Sequence, residues 1–318
     1  MLIRAGRWLW RKLGWQEKFP GYRAPDTTPE AGNERLRARL SDEKPLLVGR
    51  LGANEAAAVA NYLDLQQYAS LKTPLQRWYF QLRGGLAEWQ SGIRQATTRN
   101  AGVFPDTPQA LSAFAKAYLE AIAHIDLLAH WDVHRVESTV SEYGNDPEKI
   151  PLRCLEPYYF ESPWSAVLHG KRVLVIHPYR ESILRQYEKR ALLFENPRVL
   201  PEFDLQVIPA VQSIAGTPTP YPDWSEALSA MQEQMQNTRF DIALIGAGAY
   251  GLPLAAHAKK LGRKAVLMGG ATQVLFGVRG KRWDEHPVIS RLYNPHWVRP
   301  TEEERPPNFG QIEEGCYW

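Results

Sequence analysis

Between Lys171 and Met268, short apolar runs alternate with stretches of helical period, and this constrains the fold more than any other feature of the chain. Arg172-Val-Leu-Val-Ile176, Leu205-Gln-Val-Ile208, Asp241-Ile-Ala-Leu-Ile245 and Lys264-Ala-Val-Leu-Met268 read as strands. Helices are expected between them over 181–190, 224–236 and 252–261. Strands buried on both faces need such continuous apolar runs, and parallel strands need crossover helices, so the pattern predicts an α/β fold with a Rossmann-like parallel sheet flanked by helices. Ligands of such sheets bind beyond the carboxyl ends of the strands. An earlier unit has the same texture: Pro45-Leu-Leu-Val-Gly-Arg50 as a strand, preceded by a helix near 34–40 and followed by one from Asn54 to Leu63. From about residue 74 to 135 the pattern is mainly helical and reads as an insertion. Its apolar stripes, Trp78, Tyr79, Leu82 and Leu86 on one face and Leu111, Phe114, Ala117, Tyr118 and Ile122 on another, are expected to be buried scaffold. No repeat or linker divides residues 20–318, so one composite domain is expected there.

The 318 residues carry a formal charge of only +3 with a pI near 8.7, which argues against nucleic-acid binding over a whole face and makes any anion site local. Cys154 and Cys316 stand far apart, so neither a disulfide framework nor a cysteine zinc site is expected, and a reducing cytoplasm is the natural setting. No run approaches the roughly 20 apolar residues of a membrane span. Residues 1–19 form a separate basic, tryptophan-rich segment. Arg4, Arg7, Arg11 and Lys12 lie among Trp8, Trp10 and Trp15, as expected of an amphipathic helix in which residues 1–15 contact the anionic inner face of a membrane, or of a terminal helix packed on the domain.

Three strand ends carry residues suited to chemistry. In Arg50-Leu-Gly-Ala-Asn-Glu55, Gly52 permits close backbone approach, Arg50 is suited to clamp a phosphate, and Glu55 to coordinate a cation or position a hydroxyl. The plainer alternative makes Glu55 a residue favoured by the helix dipole and Arg50 its ion-pair partner. In Ile176-His-Pro-Tyr-Arg-Glu-Ser182, His177 is placed for a general base or for a donor to a leaving phosphate, with Ser182 near a helix start helping to hold an anion; alternatively the histidine is satisfied at a turn and Ser182 caps the helix. Ile245-Gly-Ala-Gly-Ala-Tyr-Gly251 matches G-x-G-x-x-G between a strand and a helix. A dinucleotide site also needs an acidic residue about 20 positions later, and none occurs between Asp241 and Asp284. Gly246, Gly248, Ala249, Tyr250 and Gly251 therefore read as a phosphate-binding glycine turn, or as one that serves only tight helix–sheet packing. A second pair, Gly269-Gly270, ends the next strand, and Gln273, Lys281 and Arg282 beyond it could meet a diphosphate.

Arg50-x-Gly-x-x-Glu55, Val175-Ile-His-Pro178 and Asp241-x-Ala-Leu-Ile-Gly-x-Gly-Ala-Tyr-Gly251 with Gly269-Gly270 together resemble the GT-D-fold glycosyltransferases and related proteins of bacterial surface-polysaccharide clusters. The resemblance spans roughly 45–318, including the terminal Glu-Gly-Cys-Tyr-Trp. It implies transfer of a sugar from a nucleotide-diphosphate-sugar donor, a UDP-sugar foremost, to a glycan or lipid-linked glycan of a capsule or lipopolysaccharide. In the resembling proteins the first motif reads Arg-x-Gly-Asp-x-Glu and its two carboxylates are implicated in binding Mn or Mg, whereas this chain has Ala53 in place of the Asp. That leaves Glu55 as the sole metal candidate of the motif. The expected assignment has Glu55 and His177 as catalytic residues, and Arg50, Gly52, the 246–251 turn, Gly269, Gly270, Gln273, Lys281 and Arg282 holding the donor. Two rivals remain open: an NADP-dependent oxidoreductase whose basic stretch reads a 2′-phosphate, and a non-catalytic partner in polysaccharide assembly.

Overall fold

A computed structural model of the chain describes residues 22–133, 135–311 and 315–318; the tryptophan-rich segment lies outside these. Seven parallel strands form one sheet: β1 (Leu46–Gly49), β2 (Leu127–His130), β3 (Glu148–Pro151), β4 (Arg172–His177), β5 (Asp204–Pro209), β6 (Ile242–Ile245) and β7 (Lys264–Leu267). Their spatial order is β3-β2-β1-β7-β6-β4-β5. The apolar runs are buried on both faces. Leu174 and Ile176 of β4 and Ala243 and Ile245 of β6 enter one core, while Val173, Val175, Ile242 and Leu244 enter the other. This is the α/β Rossmann-like architecture that the alternation predicts.

Helices cover both faces. They are α1 (Pro29–Ser41), α2 (Ala53–Ser70), α3 (Pro74–Leu82), α4 (Ser91–Gln95), α5 (Pro108–Ile122), α6 (Val136–Tyr143), α7 (Arg180–Glu188), α8 (Trp224–Gln236), α9 (Gly251–Lys260), α10 (Ala271–Leu275) and α11 (Lys281–Asp284). Local chemistry sets several starts: Thr28, Thr107 and Asp223 cap α1, α5 and α8 through their side chains, and Pro occupies the first turn of α1, α3 and α5.

Two expectations are corrected. Leu127–His130, inside the stretch read as helical, is strand β2, and β3 follows it at the sheet edge. In α3, Leu82 is buried, but Trp78 and Tyr79 are exposed, so this stripe is not scaffold core. The second stripe, on α5, does lie in the core, where Phe114 meets Trp224 edge-on at 5.2 Å.

Candidate active site

The four central strands β1, β7, β6 and β4 are contiguous, and their carboxyl ends carry Arg50, Gly269, Gly246 and His177. Segments distant in sequence thus share the rim of one cavity of about 290 Å³. Three strand ends meet tightly. A Cβ on Gly246 would lie 2.7 Å from each of the Gly269 carbonyl oxygen, His177 Cδ2 and Thr272 Oγ1, so only glycine lets these turns close. Gly269 has φ +60°, and the Arg50 guanidinium fills the space its missing side chain leaves, with Nη1 at 2.7 Å from where a Cβ would stand. The other face of Arg50 is held by Trp131, 5.7 Å from its ring centroid.

On the α2 side, the Glu55 carboxylate folds back over Gly52, where a Cβ would collide with it. An acidic group in the first helical turn is favoured by the helix dipole, as the plainer alternative holds, yet the same carboxylate lines the cavity. Tyr118, buried beneath, is hydrogen-bonded to the Gly52 backbone. Burial pushes its pKa well up, Glu55 adds to the rise and Arg50 opposes it, so the phenol stays neutral.

His177 is 4% exposed. Its Nδ1 accepts the Tyr179 amide at 3.1 Å, which assigns the ring proton to Nε2. Burial pushes its pKa down to about 3, so it is a neutral imidazole at physiological pH. Of the two roles expected, the hydrogen-bond donor fits this tautomer and the general base does not.

The remaining candidates divide. Gly52, Gly246, Gly248, Tyr250, Gly269, Gly270, Gln273 and Arg282 line the cavity; Ala249, Gly251 and Lys281 do not. Gly251 serves helix–sheet packing, since a Cβ there would meet Leu267 Cδ1 at 2.5 Å. Gln273 donates its amide hydrogens to the carbonyls of Val278 and Tyr317 and so fastens the terminal segment. Ser182 is not open to an external anion: Glu304 accepts its backbone N–H at 3.0 Å and its hydroxyl as well. Asp241, part of the glycine motif, lies at the opposite end of the sheet and pairs with Arg172. The Tyr250 hydroxyl lies 3.2 Å from Ser213 Oγ while its ring stacks on Trp224 at 5.3 Å, which anchors the glycine turn to the core. The terminal Tyr317 and Trp318 wall the cavity, and Arg282 lies over the Tyr317 ring at 4.6 Å.

A family model of the GT-D fold-like domain matches residues 28–275. The chain belongs to the GT-D-like family. No curated protein and no solved structure matches it. The GT-D-like match takes in all seven strands, whereas Arg282 and the terminal wall lie beyond it.

The metal expected of the GT-D resemblance is tested by the donor set. Glu55 is the single side-chain carboxylate among the lining residues, which also include Arg50 and Arg282. No group of three His, Cys, Asp or Glu side chains that could hold a metal occurs among the described residues. Glu55 could hold a divalent cation only if the diphosphate and water supplied its remaining ligands, as Mg²⁺ sites commonly arrange.

Sequence reasoning missed Tyr118, Trp131, Ser213 and Glu156. Tyr118 belongs to a helical stripe that reads as core, and nothing in the sequence signals the others. Glu156 follows β3, and burial pushes its pKa up to about 7 against the opposing pull of Arg153 and Arg50. It is an ionisable carboxyl within electrostatic reach of the main cavity cation.

Proposed function

We propose that this protein is a glycosyltransferase that takes a nucleotide-diphosphate sugar, a UDP-sugar foremost, and transfers the sugar to a surface-polysaccharide acceptor. The observation that carries this reading is that Arg50 and Arg282 both line one cavity at the carboxyl ends of four contiguous strands, two of which, β6 and β7, end in glycine turns. Anionic diphosphates are recognised by guanidinium groups and closely approached backbone. In the reaction, the acceptor hydroxyl oxygen bonds to the anomeric carbon. The bond from that carbon to the diphosphate oxygen breaks, and its electron pair leaves with the diphosphate. Arg50 and Arg282 stabilise the charge that develops there, the Nε2–H of His177 donates to it, and the Glu55 carboxylate takes the acceptor proton. Family membership points away from the oxidoreductase alternative.

The test is a thermal-shift screen against UDP-, GDP-, CMP- and dTDP-sugars and NADPH, since a ligand of the native state raises the midpoint. A nucleotide-sugar shift that disappears in Arg50→Ala and Arg282→Ala is the expected result. A shift with NADPH alone, or with nothing, contradicts it.

A further inference from the structure

The cavity reaches further across the sheet than the groups assigned above to the diphosphate. Its lining extends from Arg50, at the end of β1, past the ends of β7, β6 and β4 to the turn after β5, where Ala210, Val211, Gln212, Ser213 and Ile214 enter it. Four strand spacings of about 4.8 Å make this roughly 19 Å. On the transferase reading, which the inference below requires, Glu55 in the first turn of α2 fixes the reacting sugar carbon near the β1 end. The nucleoside then lies at the other end, beyond His177.

That end has a fixed shape. α4 runs into a five-residue π turn, Ala96–Asn100, closed by a 3.1 Å bond from the Ala101 N–H to the Ala96 carbonyl. The Thr97 and Thr98 hydroxyls hold it by donating to the carbonyls of Ile93 and Arg94 at 2.7 and 3.0 Å. The following residues close on the turn after β5. Gly102 has φ +84°, a Cβ there would stand 2.8 Å from Ser213 Oγ, and that hydroxyl donates to the Gly102 carbonyl at 2.5 Å. On the glycine-turn side, the Ala249 N–H donates to the Ala101 carbonyl at 3.4 Å.

Asn100 lines the cavity at this junction, and its carboxamide makes no hydrogen bond among the described residues. Gln212 donates to the Glu304 carbonyl at 3.3 Å, while its amide oxygen has no donor among the described residues. The other lining groups here are apolar (Ala101, Ala210, Val211 and Ile214) apart from the engaged Ser213, and none is cationic. Apolar walls with a carboxamide suit a flat, uncharged ring that hydrogen-bonds along its edge, not a further phosphate. A cavity of about 290 Å³ that also takes a diphosphate and a sugar favours a pyrimidine over a purine. We infer that the donor's nucleobase binds between the π turn and the turn after β5, and that Asn100 reads its edge, uracil being the base.

The test is calorimetric titration of UDP, CDP, GDP and inorganic pyrophosphate into wild type, Asn100→Ala, Asn100→Asp and Arg50→Ala. Wild type is expected to bind UDP about tenfold or more tighter than pyrophosphate, and both ligands should be lost in Arg50→Ala. Asn100→Ala should weaken UDP about tenfold and leave pyrophosphate unchanged, because it removes a contact to the base alone. Asn100→Asp gives up the N–H donor for a second acceptor, so preference should move from UDP towards CDP, whose exocyclic amino group a carboxylate accepts. Equal UDP affinity in wild type and both Asn100 variants, with Arg50 still required, overturns the base subsite and leaves the diphosphate site standing. A loss in the Asn100 variants shared equally by pyrophosphate, or a wild type that prefers GDP, also overturns it. Wild type that binds neither pyrophosphate nor any nucleoside diphosphate overturns the transferase reading and the base subsite together.

Discussion

Glu55 and Arg50 act in opposite senses on one neutral phenol, Tyr118, and single substitutions at them separate binding from chemistry. Glu55→Gln removes a negative charge from a cavity that is to receive a diphosphate, so donor affinity should hold or rise by a few-fold, while turnover falls by about 10²–10⁴, the usual contribution of a general base. Calorimetry and a nucleoside-diphosphate-release assay on the same preparation check the two halves; loss of binding with turnover intact would remove Glu55 from its catalytic role. Glu156 contributes a pH dependence of its own. Its folded pKa of about 7 lies above the ordinary carboxyl value, so the native state holds the proton more tightly, and stability is lost as pH rises from about 4.5 through 7. The shift corresponds to roughly 3 kcal/mol at neutral pH and above. Glu156→Gln should therefore raise the melting midpoint at about pH 8 and leave it nearly unchanged at about pH 4. Because the ionised carboxylate competes for Arg50, affinity for a nucleotide sugar should fall between about pH 6 and pH 8 in wild type and stay flat in Glu156→Gln. A flat wild-type profile would disconnect Glu156 from the site.

The ends of β4, β6 and β7 close on one another through Gly246, which has backbone or side-chain atoms on three sides. Gly246→Ala must push apart the Gly269 carbonyl, His177 and Thr272, at a cost of about 1–3 kcal/mol, and should abolish donor binding because Arg50 rests on the displaced turn. Gly251→Ala faces a methyl of Leu267 rather than backbone, so it should lower stability with donor affinity largely kept. Equal loss of affinity in both variants would refute this division of the glycine motif. The elements also show why reading the sequence succeeded where it did. Strands β4, β6 and β7 are continuous apolar runs because both faces are buried, and that signal survives in one dimension. β3, with Glu148 and Lys149 in four residues at the sheet edge, carries no such signal, and β2 is four residues ending in His130. The stripe on α3 has the same period whether it faces core or water, so periodicity could not place Trp78 and Tyr79 outside.

Over the whole molecule, one sheet assembles the site from strand ends that arrive early, midway and late in the chain. The glycines and Arg50 were legible because strand-to-helix turns mark themselves by residue type. Roles that depend on neighbours were not: the Nε2–H tautomer of His177 follows from the Tyr179 amide, and the engagement of Gln273 follows from the terminal carbonyls. Arg282 reaches the cavity over Tyr317, joining the segment beyond the matched GT-D-like region to the site that the sheet builds. The most direct test is calorimetric titration of the UDP-sugar series into wild type, Arg50→Ala and Arg282→Ala at low and moderate salt. Single-site binding that weakens by about tenfold or more in each variant and with added salt is the predicted result, as two guanidinium–phosphate contacts require. Binding of equal strength in all three proteins, or none to any nucleotide-diphosphate sugar, would contradict a diphosphate site at these strand ends.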